Sequence, residues 1–277
     1  MTARQLALAF ATTLALAGPM AVSAAEPRLP ADEDGAKARL SESPRHGELA
    51  SVDVGGTPVK TWVVYPERHE KAPVVIVIHE IFGLTDWVRG VADQLGAAGF
   101  IAVAPDLLSG MGPGGGGTDA YPSRDDVTKA VSGLARSDVQ ARLDAVRRWA
   151  LALPAANGKS ASIGFCWGGS TSFAWAAAAP GLDAAVVYYG TAPDGAALAG
   201  VKAPVMGLYG GDDARVGATL DATKKRMNEL GKVYEVHEFP GAGHGFLRAQ
   251  HGQGGANLTA SEQAWPLTLA FLHQQTR

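Results

Sequence analysis

From Val59 to Tyr65 apolar and polar residues alternate with period two, the pattern of a strand with one buried face. A polar turn, Pro66 to Lys71, leads into "APVVIVIHE", an unbroken apolar run, rich in β-branched residues, that ends at His79 and Glu80. Such a run predicts a strand covered on both faces of a sheet. Asp86 is placed to cap a helix through about Ala98, with Gly99 as its stop, and "FIAVAPDL" then reads as a second buried strand. Ser137 or Asp138 opens a helix to about Leu153, with Val139, Leu143, Val146 and Ala150 along one face. Beyond it come a strand over 160–165, a helix over 168–179, and strands over 184–189, 203–209 and 233–239. A helix from about Val216 to Leu230 separates the last two strands, and a final helix is expected over 260–273. Strands alternating with helices predict an α/β protein: a mostly parallel twisted sheet with helices on both faces.

Three stretches break this rhythm. Residues 107–124 hold Gly112, Gly114 to Gly117, Pro113 and Pro122 and read as a surface loop. Their glycine run lacks the G-x-x-x-x-G-K-[ST] order of a phosphate cradle. Residues 26–50 are rich in Pro, Ala and charge and read as an exposed N-terminal lead-in. Residues 1–25 have the form of a secretory signal peptide: Arg4, then the apolar run Leu6 to Ala17, then small residues at Val22-Ser23-Ala24-Ala25. The expectation is an exported protein, periplasmic or secreted, with no stable membrane insertion after cleavage, because the apolar run is too short for a span. Residues 51–277 then form one large α/β domain.

Charge narrows the partners. A formal net charge of −3, with no basic run, argues against nucleic acid. The one cysteine of the 277 residues cannot make an internal disulfide, so it is either a small buried hydrophobe or a reactive group. It sits in "SIGFCWGGS", a strand-to-helix junction with the G-x-S-x-G outline and sulfur in place of oxygen. Gly164 and Gly168 flank Cys166 where a tight turn would otherwise crowd Cβ atoms, and the helix N-terminus that follows favours a thiolate.

In open α/β sheets, sites form at the carboxyl ends of strands. Two later strand ends carry the other groups a nucleophile needs. "YGGDDARV" offers Asp212 or Asp213, which spacing does not separate, and "FPGAGHGF" offers His244 between glycines. Nucleophile, acid, histidine is the chain order of the α/β-hydrolase fold. At the end of the long buried strand, "HEIFG" supplies Glu80, and the backbone N–H groups of Ile81 and Trp167 are placed to form an oxyanion hole. Four aromatic residues, Phe82, Trp87, Phe165 and Trp167, lie near the expected pocket and either favour a flat ligand or pack the core. No His/Cys cluster has metal-ligand spacing, so neither a metal nor an organic cofactor is expected.

Together "HEIFG", "APDLL", "GFCWGG", "GGDDARV" and "GAGHGFLR" resemble the dienelactone hydrolase (carboxymethylenebutenolidase) family of α/β-hydrolases, over roughly Val59 to His273. The resemblance implies Cys166 as nucleophile, His244 as base, and Asp213 rather than Asp212 as the acid. It implies that Glu80 contacts the resting thiol, keeps it protonated and turned inward, and helps activate it when substrate arrives. It further implies that Arg248 binds a substrate carboxylate, with Arg124 the candidate for a second such arginine. The expected reaction is hydrolysis of a lactone, enol lactone or small activated ester through a thioester intermediate. General carboxylesterase or thioesterase activity on the same triad stands as one alternative. Acyl transfer, or a non-catalytic binding protein on this fold, are others. Oligomeric state is not legible.

Overall fold

The computed structural model describes residues 28–277, so the signal peptide expected over residues 1–25 lies outside the described residues. Eight strands form one sheet: β1 (Gly47–Val54), β2 (Thr57–Val64), β3 (Ala72–Ile78), β4 (Ile101–Pro105), β5 (Ala156–Phe165), β6 (Ala184–Tyr188), β7 (Val205–Gly210) and β8 (Tyr234–Phe239). Their spatial order is β1-β2-β4-β3-β5-β6-β7-β8. All pairs from β4 through β3 to β8 are parallel, and β1 and β2 add an antiparallel edge.

The helices are α1 (Ala36–Ser41), α2 (Asp86–Ala97), α3 (Arg124–Ser132), α4 (Arg136–Leu151), α5 (Trp167–Ala178), α6 (Ala214–Gly217), α7 (Leu220–Glu229) and α8 (Ala256–Gln275). Every residue of β3 is buried because helices cover both faces. Val75 and Val77 pack with Trp87, Val91 and Leu95 of α2 and Trp265 of α8. Val74, Ile76 and Ile78 point the other way, into a core shared with Leu143 of α4, Phe173 of α5 and Met227 of α7. Alternate side chains of one strand thus fill two cores, at about 1.5–3 kcal/mol for each large aliphatic buried.

Several expectations shift. The cap of α2 is Thr85, whose hydroxyl accepts from the Val88 N–H, and Asp86 falls in the first turn instead. The single helix expected over 216–230 is two, α6 and α7, with Thr219 at the joint. The 107–124 loop is tied down: Asp106 accepts from the Thr118 N–H and hydroxyl, each at 2.7 Å, and α3 begins at its end.

The lead-in is exposed along much of its length, yet it is built into the fold. It carries α1 and the first half of β1, and Arg45 makes a buried two-pronged pair with Asp93 of α2, Nε to Oδ1 at 2.9 Å and Nη2 to Oδ2 at 2.5 Å. Residues 28–34 lie across the loop after β8: the Glu33 N–H donates to the Arg248 carbonyl at 2.9 Å, and Gln250 donates to the Pro30 carbonyl at 2.8 Å.

Candidate active site

Cys166 sits at the turn from β5 into α5 with φ 54° and ψ −114°, a left-handed conformation that a non-glycine residue adopts only under constraint. The constraint is backbone crowding. A Cβ on Gly164 would lie 2.0 Å from the Gly168 carbonyl oxygen, and one on Gly168 would lie 2.3 Å from the carbonyl oxygens of Ile78 and His79. Both glycines are therefore required by close approach, as the pentapeptide implied. The turn projects the thiol above the carboxyl end of the sheet.

There it meets the two residues expected from later strand ends. His244 Nε2 lies 3.1 Å from Cys166 Sγ, and His244 Nδ1 lies 2.5 Å from Asp213 Oδ2. An ionised carboxylate only accepts, so the ring proton is assigned to Nδ1 and Nε2 is left to take the thiol proton. Asp213 is buried, its Oδ1 also receives the Val216 N–H as the cap of α6, and that second bond fixes the carboxylate plane. Asp212 is exposed and makes no such contact with the ring.

The thiol faces His244 rather than turning inward against Glu80, which corrects the resting arrangement that the resemblance implied. Glu80 still acts on it through space. Burial pushes the Cys166 thiol up from its ordinary value, the Glu80 charge adds to that, and the Trp167 N–H with Arg215 and Arg248 opposes it.

Glu80 follows the last residue of β3 by two positions and is almost fully buried. Burial drives its carboxyl up to about 7 against the opposing pull of Arg248. Arg248 Nε stands 2.6 Å from Glu80 Oε2 but its N–H is not aimed at the oxygen, so the contact is an ion pair without a well-formed hydrogen bond. Among the described residues neither expected oxyanion donor, the Ile81 or the Trp167 amide, donates to a backbone carbonyl, and the Trp167 N–H faces the Cys166 thiol. Trp167 stacks on the buried His79 ring at 5.6 Å between centroids, which fixes the first turn of α5 against the end of β3.

The other aromatic positions divide. Trp87 and Phe165 are core residues, packed edge to face at 4.9 Å. Phe82 instead lies under two guanidinium groups, Arg124 at 3.6 Å and Arg248 at 5.2 Å from its centroid. Both of those arginines converge on Glu33 of the lead-in, a residue that sequence patterning did not single out. Tyr189 was missed as well. It has φ 40°, packs on the His244 ring at 5.1 Å, and its buried hydroxyl lies beside the Glu80 carboxyl without a well-formed hydrogen bond among the described residues. Its only sequence signal was the Tyr188-Tyr189-Gly190 strand end beside the elbow. A groove of about 480 Å³ runs from Trp167 along α5, but neither Cys166 nor His244 lines it, so the Cys166–His244–Asp213 cluster lies outside that groove.

Comparisons with known proteins agree with this architecture. A protein from Methylorubrum extorquens provisionally named carboxymethylenebutenolidase is 34% identical over 186 residues, 63% of this chain and 63% of the relative. A Salmonella typhimurium protein with the same provisional name is 31% identical over 218 residues, 72% of this chain and 77% of the relative. Among solved structures, a Klebsiella pneumoniae protein provisionally described as a dienelactone hydrolase superposes with a TM-score of 0.74 at 27% identity, covering 83% of this chain and 99% of that one. The model of the dienelactone hydrolase family matches residues 59–276, from β2 to the C-terminal end of α8. With the sheet order, the helices on both faces and this match in hand, the chain is a hydrolase of the α/β-hydrolase fold and belongs to the dienelactone hydrolase family.

Proposed function

We propose that this hydrolase cleaves a lactone, enol lactone or small activated ester through the triad Cys166–His244–Asp213. The observation that carries the reading is the in-line contact set Sγ–Nε2 at 3.1 Å and Nδ1–Oδ2 at 2.5 Å on one imidazole. His244 removes the thiol proton as sulfur attacks the carbonyl carbon, and Asp213 stabilises the imidazolium that forms. The Ile81 and Trp167 amides receive the developing oxyanion, at about 3 kcal/mol per donor in comparable sites. The C–O bond then breaks, His244 returns its proton to the leaving oxygen, and a thioester on Cys166 remains. Water, activated by the same histidine, adds to the thioester, releasing the carboxylic acid and restoring the thiol. In a lactone the leaving oxygen stays tethered to the acyl group, so water is the only external reactant.

Glu80 serves this centre without being its nucleophile: burial holds the resting thiol protonated, the Glu80 charge adds to that, and Glu80 anchors Arg248. A protonated thiol beside a base is less prone to oxidation than a standing thiolate, which suits the exported location proposed from residues 1–25. N-terminal sequencing of protein from a periplasmic fraction tests that location.

The activity is tested by following the ultraviolet absorbance of carboxymethylenebutenolide and of its methyl ester with purified, reduced protein. Loss of absorbance in the wild type and none with Cys166→Ala is the expected result. A folded protein that consumes neither compound, or an equally active Cys166→Ala, overturns the reading.

A further inference from the structure

At the edge of the site the charges are already matched within the chain. Arg124 and Arg248 come from distant parts of the sequence, the start of α3 and the loop after β8, yet both stand over the ring of Phe82. Two guanidinium groups this close repel one another, and something anionic must lie between them. That group is the Glu33 carboxylate: Arg124 Nη1 reaches Glu33 Oε1 at 2.6 Å, and Arg248 Nη1 donates to Glu33 Oε2. Burial alone would raise the Glu33 carboxyl, but the Arg124 hydrogen bond and the charges of both arginines hold it below the usual carboxylate range. One carboxylate thus uses an oxygen on each arginine, as an incoming carboxylate would.

The contact is built rather than incidental. The Glu33 N–H is fixed on the Arg248 carbonyl, Gln250 holds Pro30, and Asp32 pairs with His251 at 2.6 Å, so the segment bearing Glu33 is fastened to the loop after β8 at residues 30, 32 and 33. The pair is also coupled to the reacting group. Arg248 bridges Glu33 to Glu80, and the charges of Glu80 and Arg248 both act on the Cys166 thiol.

We propose that Glu33 determines charge specificity: its carboxylate occupies the Arg124–Arg248 pair as an internal counter-anion, so the site selects neutral lactones and esters over those bearing a carboxylate. A free carboxylate entering this site must displace a tethered one that is present at high effective concentration. A neutral substrate meets no such competitor. The inference rests on the hydrolytic reading of the Cys166 centre.

The experiment compares carboxymethylenebutenolide with its methyl ester, which differ by one charge and one methyl group. In the wild type kcat/KM is expected to favour the ester. In Glu33→Gln the acid-to-ester ratio of kcat/KM is expected to rise by about 10-fold or more, the worth of a freed charge-assisted hydrogen bond at a part-exposed site. Adding Arg124→Gln to Glu33→Gln is expected to return the ratio toward the wild-type value. A ratio unmoved by Glu33→Gln, or a wild type that prefers the acid, overturns the proposal while leaving the hydrolase reading intact. Calorimetric binding of the acid to Cys166→Ala, with and without Glu33→Gln, gives a readout that needs no turnover. Tighter binding by about 10-fold with Glu33→Gln supports the proposal even if the hydrolase reading fails, and equal binding overturns it.

Discussion

Glu80 and Arg248 form a buried ion pair, Oε2 to Nε at 2.6 Å, in which burial outweighs the attraction and leaves the carboxyl at about 7. The folded carboxyl thus holds its proton well above the ordinary value of 4.5. Between those two values the native state binds more protons than the unfolded chain, so stability falls as pH rises through the window and levels off above about 7. Glu80→Gln removes this dependence. The expected outcome in denaturant titrations is that the wild type loses about 3 kcal/mol relative to Glu80→Gln between pH 5 and pH 8. Parallel pH profiles for the two proteins would show that the carboxyl is not held up.

The same carboxylate raises the thiol, after burial itself. Since Cys166 is the only cysteine, alkylation by iodoacetamide followed by mass spectrometry reads one site. The wild-type rate at pH 8 is expected to be well below that of a free thiol, with a midpoint above the ordinary thiol value. Glu80→Gln is expected to lower that midpoint and raise the rate at pH 8 several-fold. A wild type that reacts as fast as a free thiolate contradicts the guarded-thiol account.

The parallel core was readable because burial on both faces leaves unbroken runs such as "APVVIVI", and helices between such runs force crossovers. The cluster of Cys166, Asp213 and His244 was readable because each of the three follows a strand. β1 escaped because it is a half-exposed edge strand whose "GELASVDV" lacks such a run. Its signal was the turn: Gly55 and Gly56, both with positive φ, join Val54 to Thr57 in register, the two-residue hairpin that a Gly-Gly pair favours. α3 was hidden by the glycine run before it, although Ser123 accepting from the Asp126 N–H is a capping pattern written in sequence. Glu33 was not readable at all. Its partners lie 91 and 215 positions away, and only the folded chain brings them together.

Asp213 has two separable duties, orienting His244 through Oδ2 and capping α6 through Oδ1. Asp213→Asn keeps an oxygen for the cap but can present an N–H to the ring, which favours the wrong tautomer. A fall in kcat of about 10,000-fold is expected, with thermal stability little changed. Asp213→Ala is expected to lose as much activity and a further ~1 kcal/mol of stability from the cap. If Asp213→Asn kept near-wild-type turnover, the imidazole would have to be oriented by another group.

Gly168 and Gly90 separate a glycine required by packing from one that is not. A Cβ on Gly168 would meet two backbone carbonyl oxygens, Ile78 and His79, at 2.3 Å, and neither can rotate away as a side chain could. Relief requires the end of β3 to move from α5, and that strand end carries Glu80 and the Ile81 amide. Gly168→Ala is therefore expected to cost about 3 kcal/mol and to lower kcat together with stability. Gly90 lies inside α2 with open space where its Cβ would be. Gly90→Ala is expected to stabilise by about 0.5–1 kcal/mol through the lost freedom of the unfolded chain, with no effect on turnover. Denaturant titration and lactone kinetics on both variants decide the matter. A harmless Gly168→Ala would mean that the elbow is looser than its contacts require, and strain at Cys166 would then need another source.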